Sequence, residues 1–423
     1  MPPNIVMILT DQQRWDSLGC YGSSFASTPN VDELARSGTR FSRAFTPYPV
    51  CTPARATMWT GVLPHQHGVI ENIYGVDNAL LEQSTVTTTV FDLLRDAGYE
   101  CSYFGKWHLG EADPGFFDHY DGFNSQGGHW QGGVQDGVYR PEAQTDASIE
   151  WLRGRDSEKP FLMVQSYYPP HNPFSAPKPF MDYYRERSIP FPGYYGAVSA
   201  LDAYTGRIVD GLEELGMREN TIVVYFADHG ETFNYRRDSV HKFVCHEEAI
   251  RVPLIVNWPE LQNSANVENA LVGLEDLMPT LLEWAGTPLP DYLHGRSLVP
   301  LLTGEAADRR DDYYVENATN ITNKEQRCLR TEDWKLILSS DGDGELYDLT
   351  SDPEEELNLY TTPRNDVHNQ FAHLPSHDDR VLQMSQRLKS LAVQMNDPVG
   401  KDLADEAIRA KGADGGSPAL AES

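Results

Sequence analysis

The stretch Asn4-Ile5-Val6-Met7-Ile8-Leu9-Thr10, followed by Asp11-Gln12-Gln13, decides the fold predicted for this chain of 423 residues. A continuous apolar run of this length is typical of a strand that is buried on both faces of a parallel sheet. A second such run, Thr221–Ala227, leads into Asp228-His229-Gly230. Both runs therefore predict central strands with polar side chains at their carboxyl ends.

Predicted strands and helices alternate over most of the first 300 residues. Further strands are predicted at 99–104, 160–166 and 252–258. Helices are predicted between the strands, at 28–35, 89–97, 144–153, 196–215 and 274–285. This alternation predicts an α/β fold with a large mixed, mostly parallel sheet sandwiched by helices.

From about residue 304 onward, the pattern changes to short strands divided by Asp/Gly turns. Strands at 328–330, 334–338 and 345–349, followed by a helix at 379–394, predict a small C-terminal antiparallel sheet plus a helix. After residue 400 the chain is rich in Ala, Gly, Asp and Ser, which predicts a flexible tail. The expected organisation is an α/β domain over 1–305, an α+β subdomain over 306–399 and a tail over 400–423.

The composition argues against several classes of protein. The formal net charge is −29, from 34 basic residues, of which nine are Lys, against 63 acidic residues. Such a surface repels phosphate, so nucleic acid is not an expected partner. No apolar run is long enough to cross a bilayer, and the N-terminus lacks the basic region of a signal peptide. Five irregularly spaced cysteines without CxxC pairs argue against a disulfide framework, so a reducing, cytoplasmic location is expected.

Polar residues follow both central apolar strands at the edge where ligands of open α/β sheets bind. Asp11 and Gln12 follow the first strand, and Asp228 and His229 follow the second. Carboxylate, amide and imidazole groups that meet there would form an oxygen-rich site for a divalent cation. Taken singly, each aspartate also suits a turn or a helix cap.

The segment Cys51-Thr52-Pro53-Ala54-Arg55 places a thiol just before the first turn of a predicted helix. Proline is tolerated in that turn, residues 54–60 suit a short helix, and Gly61 is placed to end it. Free N–H groups at a helix N-terminus favour negative charge, and Arg55 lies one turn on. The residues alone leave two alternatives open: an activatable thiol beside an anion site, or a buried structural cysteine.

This C-x-P-x-R pattern resembles the signature of the type I sulfatases, in the alkaline phosphatase-like superfamily, and of their phosphonate monoester hydrolase relatives. Similar matches are G-K-W-H-L-G at 105–110, P-P-H-N-P-F at 169–174 and Lys242 before E-E-A-I-R-V-P-L at 247–254. The likeness extends from Asn4 to about Leu359. It implies a sulfuric ester hydrolase in which a formylglycine-generating enzyme, as a transient partner, converts Cys51 to formylglycine, an aldehyde whose hydrate is the nucleophile.

The resemblance also implies how the site is divided among its residues. One divalent cation would be held by Asp11, Gln12, residue 51, Asp228 and His229. The family more often has a second aspartate where this chain has Gln12, and a neutral ligand shifts the expected preference from Ca²⁺ toward Mn²⁺.

The remaining roles also follow from the resemblance. Arg55, Lys106 and Lys242 would stabilise the charge on the sulfate oxygens. A chain with only nine lysines that places two of them in these motifs is expected to have a local basic pocket for a small anionic ester.

Three residues would move protons: Asp228 takes the proton of the nucleophile, His171 protonates the leaving alkoxide, and His108 takes the second hydroxyl proton as sulfate leaves.

Two other functions use the same residues or a subset of them. One is the hydrolysis of phosphonate monoesters or phosphodiesters, and the other is a binding protein without activity in which Cys51 stays a thiol. The sequence leaves open the substrate alcohol (sugar, choline or aryl), the metal and whether the chain forms a homo-oligomer. Loops at 127–139 and 174–195 are rich in Trp, Tyr and Gly, which suits stacking on a sulfated sugar and equally suits ordinary packing.

Overall fold

A computed structural model describes residues 2–125, 128–132, 137–155, 158–236, 240–261, 266–305, 307–321, 323–360 and 376–413. The chain divides into two compact units. The first comprises residues 1–242 and 248–309, and the second comprises residues 243–247 together with those from 310 onward. The loop at 127–139, expected to contact the substrate alcohol, is therefore only partly described, since 127 and 133–136 lie outside these ranges.

The first unit is built on an eight-stranded mixed sheet. The strands of the unit are β1 (Asn4–Asp11), β2 (Thr39–Phe41), β3 (Ala44–Phe45), β4 (Glu100–Lys106), β5 (His119–Phe123), β6 (Trp130–Gln131), β7 (Val138–Tyr139), β8 (Phe161–Pro170), β9 (Thr221–Ala227), β10 (Arg251–Val252), β11 (Leu254–Asn257), β12 (Asn266–Glu268) and β13 (Val272–Gly273). The large sheet has the order β12-β2-β11-β9-β1-β8-β4-β5. β11 is antiparallel to both neighbours and the other pairs are parallel, so the predicted sheet is confirmed.

Helices cover both faces of this sheet. They are α1 (Pro29–Arg36), α2 (Cys51–Thr60), α3 (Pro64–His67), α4 (Ala79–Glu82), α5 (Val90–Asp96), α6 (Arg140–Gly154), α7 (Lys178–Glu186), α8 (Pro192–Glu214), α9 (Glu247–Ile250), α10 (Leu277–Trp284) and α11 (Val299–Thr303). Ile5, Met7 and Leu9 share one apolar cluster with residues of α2, α5 and α10. Val6 and Ile8 share another with residues of α1, α6 and α8. The apolar run of β1 is continuous because both faces of the strand are covered.

Local sequence signals account for the ends of some helices. α5 begins after Thr89, whose hydroxyl accepts from Asp92 N while the Asp92 carboxylate accepts from Thr89 N, a capping box that satisfies free N–H groups.

Within the described ranges, no helix has both the length and the apolar character needed to span a bilayer.

The second unit contains a four-stranded antiparallel sheet. Its elements are β14 (Tyr313–Thr319), β15 (Lys324–Arg330), β16 (Trp334–Ser339), β17 (Gly344–Asp348), α12 (Asp378–Gln394) and α13 (Pro398–Ala413). Leu329 and Leu336 of the sheet share an apolar cluster with Val381 and Leu388 of α12. The predicted small sheet and its helix are therefore present, with β14 as an additional strand.

The prediction of a flexible tail from residue 400 is wrong for residues 400–413, which lie in α13. Leu403, Ala404 and Ala407 are buried in the apolar cluster of the second unit. Alanine is the best helix former, and an alanine-rich segment becomes a stable helix once one face packs on a neighbour. Residues 414–423 of the predicted tail lie outside the described residues.

Candidate active site

Helix α2 carries the cysteine of the C-x-P-x-R pattern at its first residue. Pro53 lies in the first turn, where a missing N–H costs no hydrogen bond, and Gly61, with φ of 67°, ends the helix as expected. Cys51 is 0 % exposed, and every residue of α2 is buried. The thiol therefore stands at the positive end of a buried helix dipole.

The sheet places the polar ends of β1 and β9 beside this thiol. The two strands are parallel neighbours with Thr10 opposite Ala227, so the residues that follow, Asp11 and Asp228, lie side by side. Cys51 Sγ is 3.5 Å from Asp11 Oδ1. Elements far apart in the sequence thus converge on one buried point, as the strand-end argument predicted.

Four potential ligand groups lie within 4.8 Å of one another: Asp11, Cys51, Asp228 and His229. The Nδ1 of His229 lies 2.9 Å from the carbonyl oxygen of Gly230, to which it can only donate. Its Nε2 lies 3.2 Å from Cys51 Sγ, and in the neutral ring this nitrogen carries a lone pair directed at the cluster. Two carboxylates, one imidazole and residue 51 form a donor set that fits a divalent cation.

The predicted ligand Gln12 lies at the edge of this cluster in a left-handed conformation, with φ of 63°. Its backbone N–H donates to Asp228 Oδ1 at 3.0 Å. Its side-chain Oε1 accepts from Lys242 Nζ at 2.9 Å, and its Nε2 donates to the Glu231 carboxylate. The amide oxygen therefore faces the site, and a buried carboxylate fixes the orientation of the amide.

Arg55 lies behind the cluster, with its guanidinium completely buried. Nη2 pairs with Asp11 Oδ2 and Nε with Asp228 Oδ2, both at 3.0 Å, while Nη1 donates to Lys106 O and to Ser166 Oγ. All three nitrogens are thus directed at protein acceptors. This arrangement differs from the predicted contact with sulfate oxygens, since the guanidinium pairs with two carboxylates of the candidate metal site instead.

Lys106 is the last residue of β4, and its side chain contacts Asp11 in the site. Its ammonium is 2.6 Å from Asp11 Oδ2 and 4.2 Å from the centre of the Tyr168 ring. The preceding Gly105 has φ of 104°, and a Cβ there would lie 1.9 Å from Ser166 O, so only glycine lets the strand pass.

His108 follows in a left-handed conformation with φ of 57°. It is 1 % exposed. Burial and the Lys106 ammonium lower its pKa well below the ordinary value, so its ring is neutral. A strained backbone of this kind is often found where a side chain is held at a functional site.

Lys242 links the remaining predicted residues. Its Nζ lies 3.0 Å from Cys51 Sγ and 3.2 Å from His171 Nε2. His171 Nδ1 lies 2.6 Å from the carbonyl oxygen of Asn172, so Nδ1 is the donor and Nε2 accepts from the ammonium. Burial and Lys242 lower the pKa of His171, so the proton shared by this pair resides on Lys242.

The charges of the pocket determine the state of the thiol. Burial and the Asp11 carboxylate raise the pKa of Cys51, but Lys106, Lys242 and His229 outweigh them and lower it below its ordinary value. Burial likewise opposes ionisation of Asp11, and the neighbouring Lys106 nevertheless holds the pKa of that carboxyl well below its usual range. The site therefore stabilises negative charge within a strongly acidic protein.

Sequence reasoning missed two residues that complete the site. Tyr168 forms an aromatic wall between Lys106 and His171, and its ring centre is 4.9 Å from that of His171. Glu231 is fully buried, accepts from Gln12 and lies 3.1 Å from His241 Nδ1. Tyr168 and Glu231 each lie a few residues after the end of a predicted strand. That position in the sequence was the only signal that indicated these two residues.

Fold and site together define an α/β protein with a buried candidate metal centre that two lysine ammonium groups contact. Residues 3–287 match the model of the sulfatase family, and residues 238–376 match that of the N-sulphoglucosamine sulphohydrolase C-terminal region. The chain belongs to the sulfatase family, within the alkaline phosphatase-like superfamily, and is a sulfuric ester hydrolase.

Individual relatives agree with this assignment. An ulvan-active sulfatase of Formosa agariphila is 30% identical in an alignment that covers 85% of this chain and 78% of the relative. An N-acetylglucosamine-6-O-sulfatase of Bacteroides thetaiotaomicron is 27% identical, over 85% and 82% of the two chains. The structure of BT4656 in complex with its substrate D-glucosamine-2-N,6-O-disulfate shares the fold, with a TM-score of 0.80 and 23% identity over 95% of this chain and 99% of that one.

Proposed function

We propose that this sulfatase hydrolyses a sulfate monoester of a sugar hydroxyl, with formylglycine at position 51 and one divalent cation. The observation that carries the proposal is the convergence of four potential metal ligands, Cys51 among them, and two lysine ammonium groups on one buried point. The sugar is supported by two similar proteins, one named for N-acetylglucosamine 6-O-sulfate and the other bound to a sulfated glucosamine.

The cation would be held by Asp11, Gln12, residue 51, Asp228 and His229. A bound cation supplies positive charge that stabilises anionic oxygens. Carboxylate and amide oxygens favour Ca²⁺, whereas the imidazole and the neutral amide of Gln12 favour Mn²⁺, so these two are the proposed metals. Arg55 keeps both aspartates directed at the ligand position through its two ion pairs.

Formylglycine supplies a hydrated aldehyde as the nucleophile, and its formation requires a formylglycine-generating enzyme as a transient partner. Asp228 is the proposed acceptor of the nucleophile's proton. His108 is the proposed base for the second hydroxyl proton, because burial keeps its ring neutral and able to accept. These roles divide the proton transfers between Asp228, which belongs to the cluster, and His108, which follows β4.

The chain's own cations would bind the sulfate group. Lys106 reaches the pocket across the Tyr168 ring, and Lys242 reaches it from the side of His171. Because Lys242 Nζ donates to His171 Nε2, the two residues are placed to share the proton that the leaving alkoxide needs. We therefore propose that His171 and Lys242 together form the general acid, rather than His171 alone.

The decisive test is the mass of the peptide that contains residue 51, measured on protein made in a host able to modify it. Conversion to formylglycine, together with hydrolysis of 4-nitrophenyl sulfate that is lost in Cys51→Ala, is expected. An unmodified thiol in a protein that still hydrolyses the ester would overturn the proposed nucleophile. Metal content of the same sample, by elemental analysis, decides between Ca²⁺ and Mn²⁺.

Hydrolysis of phosphonate monoesters is the second candidate function for the same site. Gln12, in place of the commoner aspartate, is the observation that favours it, since the pairs Asp11-Gln12 and Asp228-His229 together resemble the phosphonate monoester hydrolase branch of the family. A phosphonate monoester hydrolase of Agrobacterium radiobacter shares the fold, with a TM-score of 0.75 and 21% identity over 93% of this chain and 96% of that one. Rates for sulfate and phosphonate esters of one phenol, measured side by side, separate the two functions.

A cytoplasmic location is proposed from the use of cysteine. All five cysteines are free, and four of them are buried. Free buried thiols persist most readily in a reducing compartment. Fractionation of native cells, followed by immunodetection of the chain in the cytoplasmic or the exported fraction, tests this location.

A further inference from the structure

Two buried histidines in the first unit have ring nitrogens that no described residue satisfies. In both His108 and His129, neither Nδ1 nor Nε2 has a hydrogen-bond partner among the described residues. The two residues are only 1 % and 4 % exposed. A buried polar group without a partner costs about 1–3 kcal/mol, so it calls for a ligand that completes it. The G-K-W-H-L-G motif accounts for His108, whereas His129 belongs to none of the motifs.

His129 lies against the anion pocket. Its ring packs edge-on against Tyr168, with the ring centres 4.8 Å apart. The same tyrosine ring contacts Lys106, which is proposed to bind sulfate, and His171, which is proposed to protonate the leaving oxygen. Because all three side chains contact one ring, we expect the alcohol part of a substrate bound between Lys106 and His171 to lie near His129.

The backbone around His129 is held in place by contacts on each side. Its carbonyl oxygen accepts from Arg140 N at 2.9 Å, and the carbonyl oxygen of Gly128 accepts from Arg140 Nε at 2.9 Å. On the other side, Trp130 Nε1 donates to Ser175 Oγ at 2.8 Å. The imidazole is thus positioned before any substrate binds, which lowers the entropic cost of recognition.

The chemistry of the ring indicates what it binds. Burial and the Lys106 ammonium lower the pKa of His129 to about 4, so the ring is neutral at neutral pH. A neutral imidazole has one N–H donor and one acceptor nitrogen. The oxygens of a sulfate group only accept, whereas a hydroxyl group both donates and accepts. Hydroxyl groups can therefore satisfy both nitrogens, and the sulfate group can satisfy only one.

We propose that His129 is a specificity residue whose two ring nitrogens hydrogen-bond to hydroxyl groups of the substrate alcohol, which selects a polyhydroxylated alcohol such as a sugar. This inference rests on the roles in sulfate binding and proton transfer that are proposed above for Lys106 and His171. Contacts to a remote part of the substrate act mainly on binding, so they are expected to affect KM more than kcat.

The test compares wild-type protein, His129→Phe and His129→Gln on 4-nitrophenyl sulfate and on a panel of monosaccharide O-sulfates that includes glucosamine 6-O-sulfate. His129→Phe keeps an aromatic ring against Tyr168 and removes both polar atoms, so the unfolding temperature should be unchanged or raised. For the best sugar sulfate, kcat/KM of His129→Phe should fall about 10- to 100-fold, mainly because KM rises. This is the loss expected for two neutral hydrogen bonds. For 4-nitrophenyl sulfate, kcat/KM should change by less than about 3-fold. His129→Gln, which keeps a donor and an acceptor, should recover part of the loss. His119→Phe is the matched control, because His119 lies on β5 and packs on Phe104. It should leave the ratio of kcat/KM for the sugar sulfate to kcat/KM for the aryl sulfate unchanged.

Three outcomes would overturn the inference. Equal losses on both esters would assign His129 to the sulfate group or to packing, and no loss on either would show that water satisfies its nitrogens. A wild-type protein that hydrolyses the aryl sulfate but no sugar sulfate would refute the sugar while leaving sulfate ester hydrolysis intact. Inactivity on every sulfate ester would instead be a failure of the proposed function itself.

Discussion

Arg55→Lys separates the two roles that the sequence and the structure give to Arg55. In the structure the guanidinium bridges two buried carboxylates, with Asp11 on Nη2 and Asp228 on Nε, each at 3.0 Å. A lysine keeps the positive charge but presents a single nitrogen, which can follow only one of these carboxylates. The substitution therefore leaves the other carboxylate without its charged partner.

The expected size of the effect follows from the contacts that are lost. One hydrogen bond to a charged group contributes about 1.5–3 kcal/mol, and the bonds to Lys106 O and Ser166 Oγ contribute about 1 kcal/mol each. Part of this loss is recovered by relaxation, so the free energy of unfolding should fall by about 2–4 kcal/mol. Residues that orient metal ligands change metal affinity about 10- to 100-fold, and a loss of that size is expected for Mn²⁺ and Ca²⁺.

The assay measures both quantities on protein in which residue 51 is still cysteine. Urea denaturation with and without metal gives the free energy of unfolding, and titration calorimetry gives the metal affinity. Arg330→Lys is the matched control, because Arg330 is a buried arginine of the second unit that pairs with Glu247 and donates to the carbonyl oxygens of Thr331 and Glu332. It should lose similar stability without any change in metal affinity.

One result would refute the reasoning. If Arg55→Lys binds metal as tightly as the wild type while kcat/KM for a sulfate ester falls strongly, the guanidinium acts on the substrate. The role implied by family resemblance would then be right, and the contacts seen in the structure would be secondary.

Three further predictions concern other groups. His171→Gln should lower kcat/KM for an alkyl sulfate by about 10²- to 10⁴-fold. For 4-nitrophenyl sulfate the loss should be less than about 10-fold, because nitrophenolate leaves without being protonated. Equal losses on the two esters would contradict a general acid. Gln12→Asp places a carboxylate beside buried Glu231, so the free energy of unfolding should fall. The double variant with Glu231→Gln should regain stability, and denaturation experiments should give a coupling free energy of about 1–3 kcal/mol between the two positions. Additive effects of the two changes would rule out that contact. Burial and His65 lower the pKa of His67 from 6.5 to about 3, so below pH 6.5 the unfolded chain binds a proton that the folded chain does not. The free energy of unfolding should therefore be about 2 kcal/mol lower at pH 5 than at pH 7.5. His67→Gln should flatten that part of the stability curve, and an unchanged slope would show that other groups produce it.

Most of the long regular elements could be predicted from the sequence because their signals are local. β1 and β9 are continuously apolar since both faces of each strand are covered, and this pattern also located Asp11 and Asp228 at the sheet edge. The short strands β2, β3, β12 and β13 were missed, because two or three residues carry no periodicity and pair only with distant segments. α13 was missed because its composition resembles a tail until its buried face meets α12.

The sequence by itself therefore predicted which residue types serve the proposed chemistry: a cysteine at position 51, acidic strand ends, two lysines and two histidines. Only the tertiary structure decided how they are used. It directed Arg55 to the carboxylates, put Gln12 between Glu231 and Lys242, and set Tyr168 beside Lys106. The physical reason is that residue identity limits the chemistry a group can perform, whereas its partners and burial depend on contacts between segments far apart in the chain.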